Sequence, residues 1–295
     1  MTTPVKLAGF ILALAVVFLG ARGVGAVISS LAEPDTPMAH DEMAEEGEHG
    51  DHEAEPAADH GPGGLASSEQ GYSFRILSQP EPGTDRPLRL VIDGPDGDPV
   101  TSYDEVHDQP LHLIKIRRDG ADYEHVHPTL GDDGVWTARL TLSPGSSRLF
   151  ADFTPTAGPA LVLGTDVELP GAYEPSPAPA VTSTDLVGGY EITLSGDLVA
   201  GESSPLTATV TLRGEPVTDL QPYLGAFGHL VALREGDLAY LHVHPEESDA
   251  GPEIPFLAEV PSAGRYRLFL DFRHEDLVRT ASFTLATHEG GDHEH

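Results

Sequence analysis

Six histidines of this chain fall into one pattern written twice. Residues 112–128 run from His112 through twelve intervening residues to His125-Val126-His127-Pro128. Residues 229–245 run from His229 through twelve to His242-Val243-His244-Pro245. An aspartate follows each set, Asp152 in RLFADF and Asp271 in RLFLDF. Three imidazoles with a carboxylate or a water make a good donor set for Cu(II) or Zn(II). Asp152 and Asp271 could be fourth ligands, or could orient an imidazole from behind. The chain has no cysteine, so thiolate sites and disulfides are excluded.

The elements that must position these residues are strands. Side chains at i and i+2 share a face of a strand, so His125 and His127 are neighbours, as are His242 and His244. His112 opens the preceding run, LHLIKIRR, and RRDGAD between them reads as a tight hairpin. A two-residue Asp119-Gly120 loop sets His112 opposite His127. A slip by two sets it opposite His125, and a slip by one sends it to the other face. REGDLA (234–239) allows the same alternatives in the second pattern. Tyr123 and Tyr240 fall on the histidine face. Ile114 and Ile116, or Val231 and Leu233, fall there too, so the face also reads as a core face with histidines at its open end as hydrogen-bonded packing residues.

The duplication extends well beyond the histidines. Residues 98–128 answer 215–245 without a gap at an offset of 117, GYSFRIL (71–77) answers GYEITLS (189–195), and RLFADF answers RLFLDF at an offset of 119. His107 and Asp108 have no counterparts, since the second copy reads LGAFG there; this gives them no part in a site common to both copies. Short apolar runs separated by Gly, Pro and Asp, with no long helical period, indicate strands throughout. The expected fold is all-β: two tandem immunoglobulin-like β-sandwich domains, 70–172 and 186–287, joined by a Pro-rich linker (173–185). Upstream stand an apolar segment (1–32) and a disordered acidic linker (33–69) carrying His40, His49, His52 and His60. A His-bearing tail (288–295) closes the chain.

The apolar segment follows Lys6 and, taken to Ile28, reaches spanning length with Arg22 as its single charge. It reads as an uncleaved transmembrane anchor, with a cleaved signal peptide as the alternative, and in both cases the remainder is extracytoplasmic, at the cell surface or in the periplasm. A formal charge of −32 leaves no basic footprint for nucleic acid. No nucleophile elbow, phosphate loop or His-Glu-x-x-His helix is present, so no enzymatic activity is expected.

The hairpins HLIKIRRDGADYEHVHP and HLVALREGDLAYLHVHP resemble those of the exported YtkA-like and FixH-like immunoglobulin-type β-domains, one unit of about 100 residues per copy. That resemblance implies membrane tethering and copper or redox-metal handling. Periplasmic copper chaperones with a His, a distant Met and a His-x-Met pair are also similar. Here His-x-His stands in that place and no Met lies in either domain, which favours Cu(II) or Zn(II) over Cu(I). The expected function is a membrane-anchored metal-binding protein for sequestration or delivery of copper or zinc. The alternative is an envelope protein–protein interaction module with structural histidines and no metal.

Overall fold

A computed structural model describes residues 62–78, 80–241 and 243–288, and every regular element among them is a strand. The apolar segment, most of the acidic linker, His242, and the tail beyond His288 lie outside the described residues. No helix among the described residues is long and apolar enough to cross a membrane.

Alternating side chains build a sandwich in each repeat. Val135–Leu142 buries Trp136, Ala138, Leu140 and Leu142 while the residues between them face outward, the pattern of a strand with one wet face. It lies in the sheet ordered Ser68–Glu69, Tyr72–Ile76, Gly83–Asp93, Val135–Leu142, Thr129–Leu130. The facing sheet runs Leu161–Leu169, Gly145–Pro155, Leu111–Arg117, Glu124–Val126. Phe74, Leu88, Leu90, Leu113, Trp136 and Phe153 are among the residues filling the space between them. The second repeat has the same plan. One sheet runs Thr184–Val187, Tyr190–Ser195, Ser203–Leu212, Glu253–Glu259, Val243–Pro245; the other runs Leu198–Val199, Leu277–His288, Arg265–His274, Gly228–Arg234, Tyr240–Leu241. Two packed, mostly antiparallel sheets per repeat make tandem immunoglobulin-like β-sandwiches.

Leu111–Arg117 departs from simple alternation, because all seven of its residues are buried. Burial on both faces means that something covers the outer one. Leu111 and Leu113 point into their own sandwich. Ile114 and Ile116 join Phe150, Val162, Val231, Leu233, Leu238, Tyr240 and Phe269 in a separate core drawn from both repeats. The histidine face is therefore neither a solvent face nor the core face of its own sandwich; it is the seam between the two.

The seam is nearly two-fold. Tyr123 stacks on Phe269 with ring centroids 3.9 Å apart and planes 3° apart, and the equivalent pair, Tyr240 and Phe150, lies at 5.8 Å. Such reciprocal contacts are those of an isologous interface, here within one chain. The segment leading into the first repeat runs along the seam. Tyr240 N–H donates to Gly63 O (2.9 Å), and Gly64 N–H donates to Val162 O (2.8 Å). Gly64 has φ 74°, and a Cβ there would stand 2.5 Å from the Phe150 ring, so only glycine fits.

Candidate metal centre at the seam

The first hairpin sets the register of the site. Leu113 pairs with Val126, Ile114 with His125 and Lys115 with Glu124; one step further sets His112 opposite His127. The connection is not a two-residue loop. Arg117 N–H donates to Ala121 O and Gly120 N–H donates to Arg117 O, with Gly120 at φ 80° and Asp122 at φ 52°. That three-residue turn alone would slip the ladder by one, and the extra residue near Asp122 restores it. His112, His125 and His127 consequently share the seam face.

Their rings crowd together, with centroids 5.2 Å (112–125), 5.0 Å (112–127) and 4.8 Å (125–127) apart. One ring nitrogen from each lies within 4.8 Å of the others. His229 of the second repeat stacks on His112 at 5.2 Å with planes 3° apart, and sits 4.9 Å from His125. His107 adds a fifth ring, 5.3 Å from His229 and 6.1 Å from His112.

The hydrogen bonds assign tautomers. His112 Nε2 is 2.9 Å from Val106 O; a carbonyl only accepts, so Nε2 carries the proton and Nδ1 of the neutral ring is a lone pair. His125 Nδ1 is 2.8 Å from Asp271 Oδ2, so Nδ1–H donates to that carboxylate and, in the neutral ring, Nε2 is a lone pair. Yet His112 Nδ1 and His125 Nε2 face each other at 3.0 Å. Two lone pairs at that distance repel unless a proton or a cation lies between them. His127 Nε2 is buried beside them with no hydrogen-bond partner.

Burial sets the charge of the cluster. His229 is held neutral, well below the ordinary imidazole range, first by desolvation and then by the neighbouring rings. Desolvation likewise lowers His112 and His107. It leads the lowering of His127 to about 3, with His125 and His112 adding to it. Tyr123 and Tyr240 are raised well above their usual value by desolvation first, with Asp271 and Asp152 respectively adding to it. Neutral imidazoles are the form that binds metal.

The carboxylates exchange places. His112 pairs with Asp152, and His229 with Asp271, in the backbone registers of their own sheets. The side chains cross the seam: Asp271 of the second repeat accepts from His125 of the first, and Asp152 of the first accepts from Tyr240 of the second at 3.3 Å. Thr280 donates to the other Asp271 oxygen at 2.5 Å. Asp271 thus serves the opposite copy of the motif.

The second motif is not a mirror of the first. Tyr240–Leu241 pairs with Gly228–Arg234, but Val243–Pro245 already pairs with Glu253–Glu259 of the other sheet. The first copy stays on its own sheet through Val126 and crosses only at Thr129–Leu130. His244 is left exposed on the far sheet, opposite Leu257, and His242 is outside the described residues. Of the second motif, His229 and Asp271 reach the cluster, and His244, although exposed, stands close enough to act on the charge of His107. His107 belongs to it as well, although the second copy has no counterpart; its only signal in the sequence is a histidine close before His112.

The described residues define an all-β protein of two immunoglobulin-like sandwiches sharing one buried histidine cluster. By sequence the chain belongs to a family described as a domain of unknown function, DUF8832, which matches twice, over residues 66–174 and 184–289. No curated protein matches it. Among solved structures it is similar to FdeC, an Escherichia coli adhesin, at 18% identity over 78% of this chain and 66% of that one, with a TM-score of 0.23. MtrC from Shewanella baltica is similar at 7% identity over 73% and 69%, with a TM-score of 0.25. The Ig1-2 module of the Drosophila receptor phosphatase DLAR is similar at 11% identity over 73% and 98%, with a TM-score of 0.20. TM-scores this low carry no inference about function.

Proposed function

We propose that the seam holds one divalent transition-metal ion, copper or zinc, on His112 Nδ1, His125 Nε2 and His127 Nε2, and that the protein sequesters or delivers this ion outside the membrane. The observation that carries the reading is the pair of convergent lone pairs at 3.0 Å, each fixed by a partner on the far side of its ring. A cation relieves that repulsion directly. Asp271 supports the reading, because it is buried and its hydrogen-bond partners are His125 and Thr280; a dication would supply the missing countercharge. Holding suits the site better than catalysis, since the His125 side chain is 1% exposed and the donors are closed off from substrate. Residues 7–28 are read as the membrane anchor, with the acidic, His-bearing linker collecting cations near it.

The test is a calorimetric titration of the full chain with Cu(II) and with Zn(II), beside a His112→Ala/His125→Ala variant. Both proteins carry the same linker and tail histidines, so those cancel. One additional tight equivalent in the parent chain is expected. Superimposable isotherms would reject the site.

A further inference from the structure

Resting on that reading, we infer that His107 is the portal of the site: a ligand through which the ion is passed in and out, rather than one that holds it at equilibrium. The donors themselves are sealed. His112 is 2% exposed and the His125 side chain 1%, and His127 Nε2 is buried. His107 is half-buried at the solvent side of the cluster, with its ring against His229 and near His112. An ion bound there would be one ring away from the buried nitrogens, and ligand exchange could proceed without a bare ion crossing the gap.

The backbone around His107 is built as a gate. Val106 and Gln109 exchange both backbone hydrogen bonds, at 2.9 and 3.2 Å. His107 and Asp108 form the tip between them, both left-handed, at φ 50° and 60°. Neither is glycine, so both side chains sit on a backbone conformation that L-residues adopt infrequently. Tyr223–Ala226 makes the equivalent turn in the second repeat, with Leu224 and Gly225 at its tip. The two tips meet, since a Cβ on Gly225 would lie 3.8 Å from Asp108 Oδ2. One turn from each repeat therefore stands at the His107 side of the cluster. Val106, at the foot of the first turn, supplies the carbonyl that fixes the His112 tautomer. Moving the turn aside breaks that bond and frees His112 to rotate, so access and ligand release are one motion.

The second repeat supplies the variant. His107→Leu copies the residue that Leu224 places in the same kind of turn, and Asp108→Gly copies Gly225, so both leave the turn intact. Stopped-flow mixing of the full chain with Cu(II), read by quenching of Trp136, gives the rates; the His112→Ala/His125→Ala trace accounts for the linker and tail. For His107→Leu, association and dissociation are both expected to slow by about tenfold or more, with Kd kept within about twofold. Asp108→Gly should leave both rates near those of the parent chain. Unchanged rates in His107→Leu would overturn the portal. Faster dissociation with unchanged association would also overturn it, by making His107 a resident ligand. A parent chain that shows no phase beyond that of the double variant would overturn the metal site itself, and the portal with it.

Discussion

Asp271 of the second repeat receives a hydrogen bond from His125 of the first, with Oδ2 2.8 Å from Nδ1, across a seam that separates them by 146 positions in the chain. Neither repeat alone can assemble this arrangement. The carboxylate fixes which nitrogen of His125 is free, and Thr280 fixes the carboxylate.

Replacing Asp271 by Asn should weaken metal binding through tautomer rather than through shape. The amide nearly matches the carboxylate in size, but its NH2 can face His125 Nδ1 and leave the proton on Nε2, the nitrogen that must coordinate. Loss of such an orienting carboxylate typically costs 10–100-fold in metal affinity. Competition titration against a chelator of known affinity measures it, alongside a thermal melt to show that the fold is kept. Unchanged affinity would remove Asp271 from the site.

The metal-free protein should lose stability as the pH falls through the histidine range. His107, His112, His127 and His229 are all lowered in the folded state, with burial the leading cause. Their unfolded value is near 6.5. Above it both states are neutral and these groups contribute no slope. Below it the unfolded chain takes up protons that the folded chain refuses, so stability declines, and His127 continues to contribute down to about pH 3. The slope is at most about 1.4 kcal/mol per pH unit for each group, and less for the half-exposed His107 and His127, where solvent screens the charge. Urea midpoints in chelator at pH 7.5, 6.5 and 5.5 should fall in that order. Saturating metal should raise the midpoint at pH 5.5, because an ion bound by the folded state and not by the unfolded chain adds stability by mass action. A flat series would mean that the cluster is not held neutral.

Phe269→Ala should uncouple the two repeats. The ring lies in the shared core and stacks on Tyr123, and truncating a buried phenylalanine costs about 3–5 kcal/mol. That loss falls on the seam, whereas each sandwich keeps its own core. Scanning calorimetry should show one transition in the parent chain and two in the variant, and tight metal binding should be lost with the docking. A single transition merely lowered in temperature would show that the repeats unfold together regardless.

Much of this architecture is legible in the residues themselves. The gapless offset of 117 marks two copies, and strand periodicity places His125 and His127 side by side. The Gly-bearing hairpin brings His112 to them, although its turn is longer than a two-residue loop. Apolar residues on both faces of Leu111–Arg117 signal double burial, but periodicity describes a strand's faces without saying what covers them. The cover is the other repeat, which is why the motif pattern pairs Asp152 and Asp271 with their own copies while their side chains reach across. His107 escapes the pattern because matching the copies finds what both keep, and a site on a two-fold seam can take a residue from one side only. His244 departs from it for a backbone reason: its strand changes sheets earlier than the first copy does.

That early crossing yields the sharpest contrast between two residues the duplication treats alike. His127 and His244 are equivalent at an offset of 117, but His127 Nε2 is buried in the cluster and His244 stands exposed on the far sheet. His244→Ala should keep the single tight equivalent, whereas His127→Ala should remove a donor and lower affinity by tenfold or more, about 1.4 kcal/mol for each factor of ten. His229→Ala should fall between them, because its ring stacks on His112 and sets that ring's position. Calorimetry of the three variants in the full chain distinguishes a shared seam site from one site per repeat. If each repeat held its own ion, His244→Ala would remove one of two equivalents, and the crossed carboxylates would have to serve some other purpose.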